Sequence, residues 1–230
     1  MYKHCKVIAF DADDTLWINE TYFREAEKKF AQYLLPYETA SKIEQELLKI
    51  EIKNLQVYGY GIKGFMLSMV ECALQLSNYT VSQQVIDHIL MIGKDMIDKP
   101  IELLEGVEDV LKKLKGNYKL IVATKGDLLD QERKLEKSGL LHYFHHIEVM
   151  SEKKEVDYKK LIKHLDIESS DLLMIGNSLK SDVLPLIEIG ASAIHVPFHT
   201  TWVHEEVSFI EAQKSNYKTV QKVIDILAFL

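Results

Sequence analysis

The sequence predicts an α/β protein whose parallel sheet is interrupted after its first strand by an inserted helical segment. Short apolar runs with β character recur along the chain, and after the first run helical patterns separate each one from the next. Strands that alternate with helices of this length indicate a parallel sheet with helices on its faces. One interval breaks this alternation, because about 110 residues separate the first two strand ends, whereas a βαβ unit takes roughly 30.

Five strands are predicted, each of them a short apolar run. They cover residues 6–10, 119–124, 146–149, 171–175 and 192–196. Helical patterns precede the second strand or separate the later ones, over residues 106–115, 128–138, 158–165 and 182–189. The sheet and these helices should form one core domain.

The long interval after the first strand has a helical pattern throughout. Tyr22, Ala26, Phe30 and Leu34 lie four residues apart and form one apolar face, and three similar patterns follow up to residue 96. We therefore predict an α/β core domain of residues 1–17 and 100–230, with a helical domain over residues 18–99. A glycine-containing break at residues 58–65 lacks the spacing of a P-loop.

The composition is ordinary for a globular protein, and it argues against several classes of function. The 230 residues are 47% hydrophobic and carry a net charge of −7, without long basic tracts, so we expect no nucleic-acid partner. No apolar run approaches the ~18 residues of a membrane helix, so we expect no membrane association. Cys5 and Cys72 lack C-x-x-C spacing and should be free buried thiols in a reducing compartment. Because the N-terminus enters a strand directly, without a secretory signal, we expect a cytoplasmic protein.

Polar side chains follow four of the five predicted strands. The first strand ends in DADDT, the second in ATKGD and the fourth in GNSLKSD, and MSEKKE follows the third. Ligands of α/β sheets bind beyond the carboxyl ends of the strands. Carboxylates, a hydroxyl, lysines and an amide at this edge suit a divalent cation bound next to a phosphate.

The acidic cluster after the first strand suggests a division of roles. In an extended chain Asp11 and Asp13 project to one side, while Asp14 points to the other. Mg²⁺ typically takes one or two carboxylates plus phosphate and water, and Asp11 with Asp182 makes such a pair. A carboxylate is also a competent nucleophile on phosphorus, provided that Mg²⁺ and a lysine such as Lys153 offset its charge. Asp13 is placed to protonate a leaving group and later to activate water.

These blocks resemble the four motifs of the haloacid dehalogenase (HAD) superfamily, in the family's order and over nearly the whole chain. DADDT is similar to the first motif, D-x-D-x-[TV], and the other three correspond to IVATKGD, SEKKEVDY and GNSLKSD. The inserted helices resemble the C1-type cap of phosphatases in this superfamily. The resemblance implies a Rossmann-like sheet of strand order 5-4-1-2-3 and an aspartyl-phosphate intermediate.

The resemblance also assigns roles to single residues. Asp11 would be the nucleophile and Asp13 the general acid and base. The phosphate would be held by Thr124 and Lys153, with Lys125 as a further candidate. The metal ligands would be Asp11, Asp13, Asp182 and Asn177.

Two positions depart from the family pattern or leave a choice. Asn177 stands where an acid is common, so the site loses one negative charge and Mg²⁺ should bind less tightly. Lys153 lies five residues before Tyr158, the predicted start of the next helix, and is favoured as the active-site lysine over Lys154.

The sequence therefore predicts a Mg²⁺-dependent phosphatase of a small phosphorylated metabolite. Three alternatives stay open: a phosphomutase, a 2-haloacid dehalogenase and a non-catalytic phosphate- or metal-binding module. Dehalogenases of this type lack the acid found here at Asp13. Specificity should lie in the inserted helices, and no pattern indicates an oligomeric state. Further candidates for substrate contact are Tyr58, Tyr60, Lys63, His199 and Trp202.

Overall fold

A computed structural model describes residues 2–208, 212 and 217–230 of the chain. The chain forms two compact units. The first, called here the α/β unit, comprises Met1–Glu20, Ile101–Lys125 and Gln131–Leu230. The second, the helical unit, comprises Thr21–Pro100 and Gly126–Asp130. The sequence pattern places boundaries near residues 17 and 99, and it does not separate residues 126–130 from the core.

The α/β unit is built on a parallel sheet, as predicted. Its strands within the described residues are β1 (Val7–Phe10), β2 (Lys119–Lys125), β3 (Ile147–Met150), β4 (Leu172–Gly176), β5 (Ser192–His195) and β6 (Lys218–Thr219). Their order across the sheet is β3-β2-β1-β4-β5-β6, with every pair parallel. The implied order of the first five strands is confirmed, and the two-residue β6 adds an edge strand that the sequence pattern does not predict.

Both faces of the sheet are buried, which explains why the strands are continuous apolar runs. Side chains of β1 alternate between the two layers: Ile8 and Phe10 pack on one side, and Val7 and Ala9 on the other. All four are essentially inaccessible to solvent. Packing on both faces of the sheet therefore fixes the position of β1 and of its carboxyl end.

Among the described residues, four α-helices flank the sheet or contribute to its layers. They are α5 (Val107–Leu114), α6 (Leu128–Lys137), α7 (Glu155–Leu165) and α8 (Leu184–Glu188). Helix α8 is shorter than predicted, because residues 179–183 form a π-helical turn before it. Pro185, at the start of α8, has no N–H to donate to the Ser181 carbonyl. The Tyr158 hydroxyl donates to that carbonyl instead, at 2.8 Å.

The helical unit contains the four predicted helices: α1 (Glu20–Leu34), α2 (Ala40–Tyr58), α3 (Ile62–Leu76) and α4 (Gln83–Asp98). Its core includes the fully buried side chains of Phe30, Ile43 and Met69. Gly93 of α4 packs directly on Met66 of α3, because a Cβ at position 93 would lie 2.6 Å from the Met66 sulfur. None of the helices in the described ranges combines the length and apolar character of a membrane span.

Both cysteines are free and buried, as predicted. Cys5 precedes β1 and packs in the core of the α/β unit, whereas Cys72 lies on α3 in the core of the helical unit. Burial raises the pKa of the Cys72 thiol to about 12, with the negative charges of Glu46 and Glu51 adding to the effect. This thiol is therefore protonated at neutral pH and inert as a nucleophile.

Candidate active site

The residues at and directly after the ends of four neighbouring strands of the α/β unit lie at one edge of the sheet. Strand β1 is followed by Asp11, β2 ends in Thr124 and Lys125, β3 is followed by Lys153, and β4 by Asn177 and Asp182. Since β3, β2, β1 and β4 are adjacent and parallel, their carboxyl ends meet at this edge. The candidate site can be built from these residues and their hydrogen-bond partners.

Lys153 bridges two carboxylates at the centre of this edge. Its Nζ lies 2.5 Å from Asp11 Oδ1 and 2.6 Å from Asp182 Oδ1, and its side chain is only 1% exposed. Burial by itself would lower the pKa of Lys153, but the charges of Asp11 and Asp182 raise it above its ordinary value. When both carboxyl groups are ionised, the cluster holds one positive and two negative groups away from water, an excess of negative charge.

The Asp11 carboxylate is strongly affected by this environment. Burial raises the pKa of Asp11 to about 7; Lys153 opposes this shift, while the nearby charges of Asp182 and Asp13 add to it. A cation near Asp11 and Asp182 would offset the remaining negative charge and favour the ionised form of Asp11.

The structure brings Lys153 to the aspartates and leaves Lys154 at the surface. The Lys154 side chain is 66% exposed, and its ammonium lies 3.9 Å from Glu152. Lys154 has extended backbone angles, so neighbouring side chains here point in opposite directions. Helix α7 begins at Glu155 rather than at Tyr158, so the predicted helix start was wrong by three residues.

At the end of β4, Asp182 is held by contacts with a glycine and with a backbone amide. A Cβ on Gly176 would lie 2.3 Å from the Asp182 carboxylate, so only glycine allows this carboxylate to pack against the end of β4. The Ser178 N–H donates to Asp182 Oδ2 at 2.9 Å. These contacts aim the other oxygen, Oδ1, at Lys153.

Thr15 links Asp11 with Asn177, a contact that the sequence analysis missed. The Thr15 hydroxyl lies 3.4 Å from Asp11 Oδ2 and 3.3 Å from Asn177 Oδ1, so it can donate to either oxygen. The backbone carbonyl of Asn177 lies 3.0 Å from His195 Nε2 at the end of β5. The amide side chain of Asn177 is thus next to the Asp11 carboxylate.

Asp13 has partners of its own, all in the α/β unit. Its Oδ1 accepts from Trp17 Nε1 at 2.8 Å and from Lys134 Nζ at 3.0 Å, and its Oδ2 accepts from Gln131 Nε2 at 2.8 Å. Strand β1 ends at Phe10, so the alternation of an extended strand does not apply as far as Asp13. The side chain of Asp13 is 24% exposed and thus partly accessible to solvent.

Asp14 serves the backbone rather than the site. It adopts a left-handed conformation with φ of 61°, and its carboxylate accepts the N–H groups of Asn19, at 2.8 Å, and Glu20, at 3.0 Å. These groups lie at the start of α1, where a carboxylate favours helix formation. Burial raises the pKa of Asp14 to about 8, although the two backbone hydrogen bonds oppose that shift.

The end of β2 carries an ion pair that the sequence analysis also missed. The Lys125 ammonium lies 2.6 Å from Glu205 Oε1 and 3.0 Å from Ser181 Oγ, and Glu205 Oε2 accepts from the hydroxyls of Ser178 and Ser181. Burial alone would raise the pKa of Glu205, but Lys125 and the two serines lower it to about 2. The hydroxyl of buried Thr124 donates to the Lys125 carbonyl at 3.1 Å. Phosphate binding by Thr124 or Lys125 stays a prediction.

The oxygen ligands present at this edge fit Mg²⁺. Within the described ranges, no three His, Cys, Asp or Glu side chains form a group that could hold a metal ion by themselves. Asp11 and Asp182 supply two carboxylates and Asn177 an amide oxygen, the small set of protein ligands that Mg²⁺ uses beside phosphate and water. The side chain of Asp13, a further predicted ligand, is engaged with the three donors described above.

Three of the remaining candidates for substrate contact, Lys63, His199 and Trp202, have local partners. In the helical unit, the Lys63 ammonium lies 2.9 Å from Asp127. In the loop after β5, His199 Nδ1 lies 2.7 Å from the Thr200 hydroxyl, and the rings of Trp202 and His204 lie 5.0 Å apart. Their roles in substrate contact stay predictions.

A sequence profile described as haloacid dehalogenase-like hydrolase matches residues 5–190. The chain belongs to this family. This HAD-like hydrolase is thus an enzyme of the hydrolase class. The carboxylates and the buried lysine at its strand ends agree with that class. A search among curated proteins found no match.

Solved structures agree with this assignment. A haloacid dehalogenase-like hydrolase from Xanthomonas campestris is 36% identical, with a TM-score of 0.84, and the match covers 95% of this chain and 87% of that one. A predicted phosphoglycolate phosphatase from Haemophilus somnus is 14% identical, with a TM-score of 0.66 and 98% of each chain covered. A 2-haloacid dehalogenase from Pseudomonas syringae is 18% identical, with a TM-score of 0.64, and the match covers 98% of this chain and 99% of that one. At these low identities the last two show the shared fold alone.

Proposed function

We propose that this HAD-like hydrolase is a Mg²⁺-dependent phosphatase of a small phosphomonoester, acting through a phosphorylated Asp11. The observation that carries the proposal is the position of Lys153, buried between the carboxylates of Asp11 and Asp182. A second feature supports phosphoester chemistry in particular: Asp13 lies two residues from Asp11 and has separate hydrogen-bond donors.

In the first step, Asp11 attacks the phosphorus of the substrate. The carboxylate must approach a negatively charged group, so the neighbouring Lys153 ammonium lowers the repulsion. Thr124, at the end of the adjacent strand β2, offers a hydroxyl to a phosphate oxygen. Bound Mg²⁺, held by Asp11, Asp182 and Asn177, would neutralise charge on the phosphoryl oxygens.

Asp13 would move the protons in both steps. It gives a proton to the departing oxygen of the substrate while Asp11 accepts the phosphoryl group. It then takes a proton from the water molecule that attacks the phosphorus of phosphorylated Asp11. Phosphate leaves and the Asp11 carboxylate is regenerated.

The helical unit would serve as the cap of this enzyme and contribute to substrate specificity. It is inserted directly after the residues that carry Asp11 and Asp13, the position of the cap in the resemblance described above. The two free thiols favour a reducing compartment, and we propose the cytoplasm.

A 2-haloacid dehalogenase is the second candidate function. Asn177 favours it, because an amide in place of an acid weakens the case for a metal, and dehalogenation needs only a carboxylate nucleophile. Asp13 argues against it, since a halide leaves without a proton.

One assay distinguishes the two functions. The purified protein is incubated with a panel of phosphorylated metabolites and p-nitrophenyl phosphate, and separately with 2-chloropropionate, while released phosphate and chloride are measured. We expect phosphate release that requires Mg²⁺ and is abolished by EDTA and by Asp11→Asn. Chloride release that persists in EDTA would instead establish the dehalogenase. Phosphate release that survives Asp11→Asn would refute the assignment of the nucleophile.

A further inference from the structure

The side chain of Asp13 is held by an unusually complete set of donors. Both of its oxygens accept hydrogen bonds: Oδ1 from the Trp17 indole and the Lys134 ammonium, and Oδ2 from the Gln131 amide. We call Trp17, Gln131 and Lys134 the Asp13 clamp. A solvated surface aspartate has no need for three protein donors, so this arrangement suggests that the orientation of the carboxylate matters.

The donors themselves are buried. Trp17 is fully buried in the core of the α/β unit, and Gln131 and Lys134 are buried on α6. Gln131 and Lys134 lie three residues apart, so both project from one face of that helix. Burying an ammonium is costly unless it is paired, and here Asp13 and the side-chain oxygen of Asn19, at 2.8 Å, offset the cost.

Gln131 also connects Asp13 with the end of β2. Its Nε2 donates to Asp13 Oδ2 at 2.8 Å and to the Lys125 carbonyl at 3.0 Å. Both partners are acceptors, which fixes the orientation of the amide. The residue before Lys125 is Thr124, so one side chain sets the position of Asp13 relative to the strand end that offers a hydroxyl to phosphate.

We propose that Lys134 and Gln131 are positioning residues for proton transfer by Asp13. Resting on the phosphatase function proposed above, the inference is that they orient the carboxylate toward the departing oxygen and toward the attacking water. They act through Asp13 and touch neither substrate nor the phosphoryl group. Without these hydrogen bonds the Asp13 carboxylate can still give and take a proton, but it loses the alignment on which efficient proton transfer depends.

The test compares substrates that differ in their need for a proton. p-Nitrophenolate leaves readily as an anion, whereas an alkoxide such as that of glycerol phosphate must be protonated. The parameter kcat/KM reports the steps up to the first irreversible one, the transfer to Asp11. It is measured for both substrates in the unmodified chain and in the variants Asp13→Asn, Lys134→Met and Gln131→Met.

We expect Lys134→Met and Gln131→Met to lower kcat/KM for the alkyl phosphate by about 10- to 100-fold, and for p-nitrophenyl phosphate by about threefold or less. Asp13→Asn should show the same pattern with a larger loss. Lys134→Arg keeps a cationic donor and should recover part of the activity toward the alkyl phosphate. Lys137→Met, an exposed lysine one turn further along α6, is the matched control and should change neither value.

Three kinds of result would overturn the proposal. If Asp13→Asn separates the two substrates but Lys134→Met and Gln131→Met lower both values equally, the clamp is merely structural. Variants that match the unmodified chain would also refute it. Absence of phosphate release by the unmodified chain would overturn both this inference and the phosphatase proposal, because Asp13 would then have no leaving group to protonate. Thermal melting of each variant identifies losses that come from unfolding.

Discussion

Two buried lysines of the α/β unit hold aspartates in different ways. Lys153, 1% exposed, lies between two buried carboxylates, so its cluster keeps an excess of negative charge. Lys134, 11% exposed, pairs with Asp13, whose side chain is 24% exposed. The first arrangement suits a nucleophile that shares its site with a cation. The second holds a carboxylate that solvent can reach and that can exchange protons with water. Similar residue pairs thus suit different chemistry because their exposure differs.

The largest expected effect concerns Asp11, the proposed nucleophile in the Lys153 cluster. Asp11→Asn keeps the size of the side chain but removes its ability to attack phosphorus, so phosphate release should fall by at least about 10³-fold. The measurement is the rate of phosphate release at saturating substrate and Mg²⁺. Asp87→Asn, at an exposed position on α4, is the control and should retain full activity. Substantial phosphate release by the Asp11 variant would show that the Lys153 cluster does not supply the nucleophile.

The second prediction tests the charge excess around Lys153 through stability. Lys153→Met leaves two buried carboxylates without their cation, so the free energy of unfolding should fall by about 3–5 kcal/mol. Lys154→Met changes a neighbouring lysine at the surface and should alter it by less than about 0.5 kcal/mol. Urea unfolding of both variants in EDTA gives the values. Equal small losses in the two variants would show that Lys153 is not the counterion of the cluster.

The third prediction concerns the ion pair of Glu205 and Lys125 at the same sheet edge. The pKa of Glu205 is about 2 in the folded chain, below its ordinary value of 4.5. A carboxyl group whose pKa is lower in the folded than in the unfolded chain stabilises the fold at pH values above its unfolded pKa. This stabilisation is lost as the pH falls through its pKa in the folded chain. Glu205→Gln should therefore cost about 3 kcal/mol at pH 7, with the cost shrinking between pH 4.5 and 2. A cost that is independent of pH in urea unfolding would contradict the ion pair.

The smallest expected effect is stabilisation by Mg²⁺ alone. A cation that binds the folded chain at the Asp11 and Asp182 carboxylates should add about 1.4 kcal/mol to the free energy of unfolding at ten times its Kd. Asp182→Asn should lose this increment, whereas Lys134→Met should keep it, because Lys134 belongs to the other cluster. Urea unfolding with Mg²⁺ and with EDTA measures both. An increment of equal size in the Asp182 variant would place the cation elsewhere.

Much of the fold and part of the site are predictable from the sequence, because strand ends are easy to locate. Buried parallel strands are short apolar runs, and the polar residues that follow them must gather at one edge. This reasoning leads to Asp11, Lys153 and Asp182, which the structure joins through hydrogen bonds. It depends only on local pattern and on the parallel arrangement of the sheet.

The partners of Asp13 are not predictable in this way. Gln131 and Lys134 lie 118 and 121 residues further along the chain, on a helix in which they look like ordinary surface residues. Glu205, which lies 80 residues beyond Lys125, is at the end of a three-residue 3₁₀ turn, Val203–Glu205, which is too short to give a periodic pattern. Such contacts depend on how a helix face or a loop packs on the sheet, which no local pattern encodes.

Helix starts show a further limit of pattern reasoning. The apolar spacing of α7 becomes visible at Tyr158, but its first turn is polar and begins at Glu155. The Asp157 carboxylate accepts the Lys154 N–H at 3.3 Å, which stabilises that turn. A rule based on acidic residues in the first turn would have located this start better than apolar spacing.

The most direct test of the central claim is identification of the phosphorylated residue. The protein is mixed with Mg²⁺ and a phosphomonoester that it hydrolyses, and the reaction is quenched in acid during the steady state. The protein is then digested and analysed by peptide mass spectrometry. We predict one phosphoryl group on Asp11, absent from Asp11→Asn and retained or increased in Asp13→Asn, in which hydrolysis of the intermediate is slow. A phosphoryl group on another residue, or steady phosphate release without any phosphorylated peptide, would contradict the account.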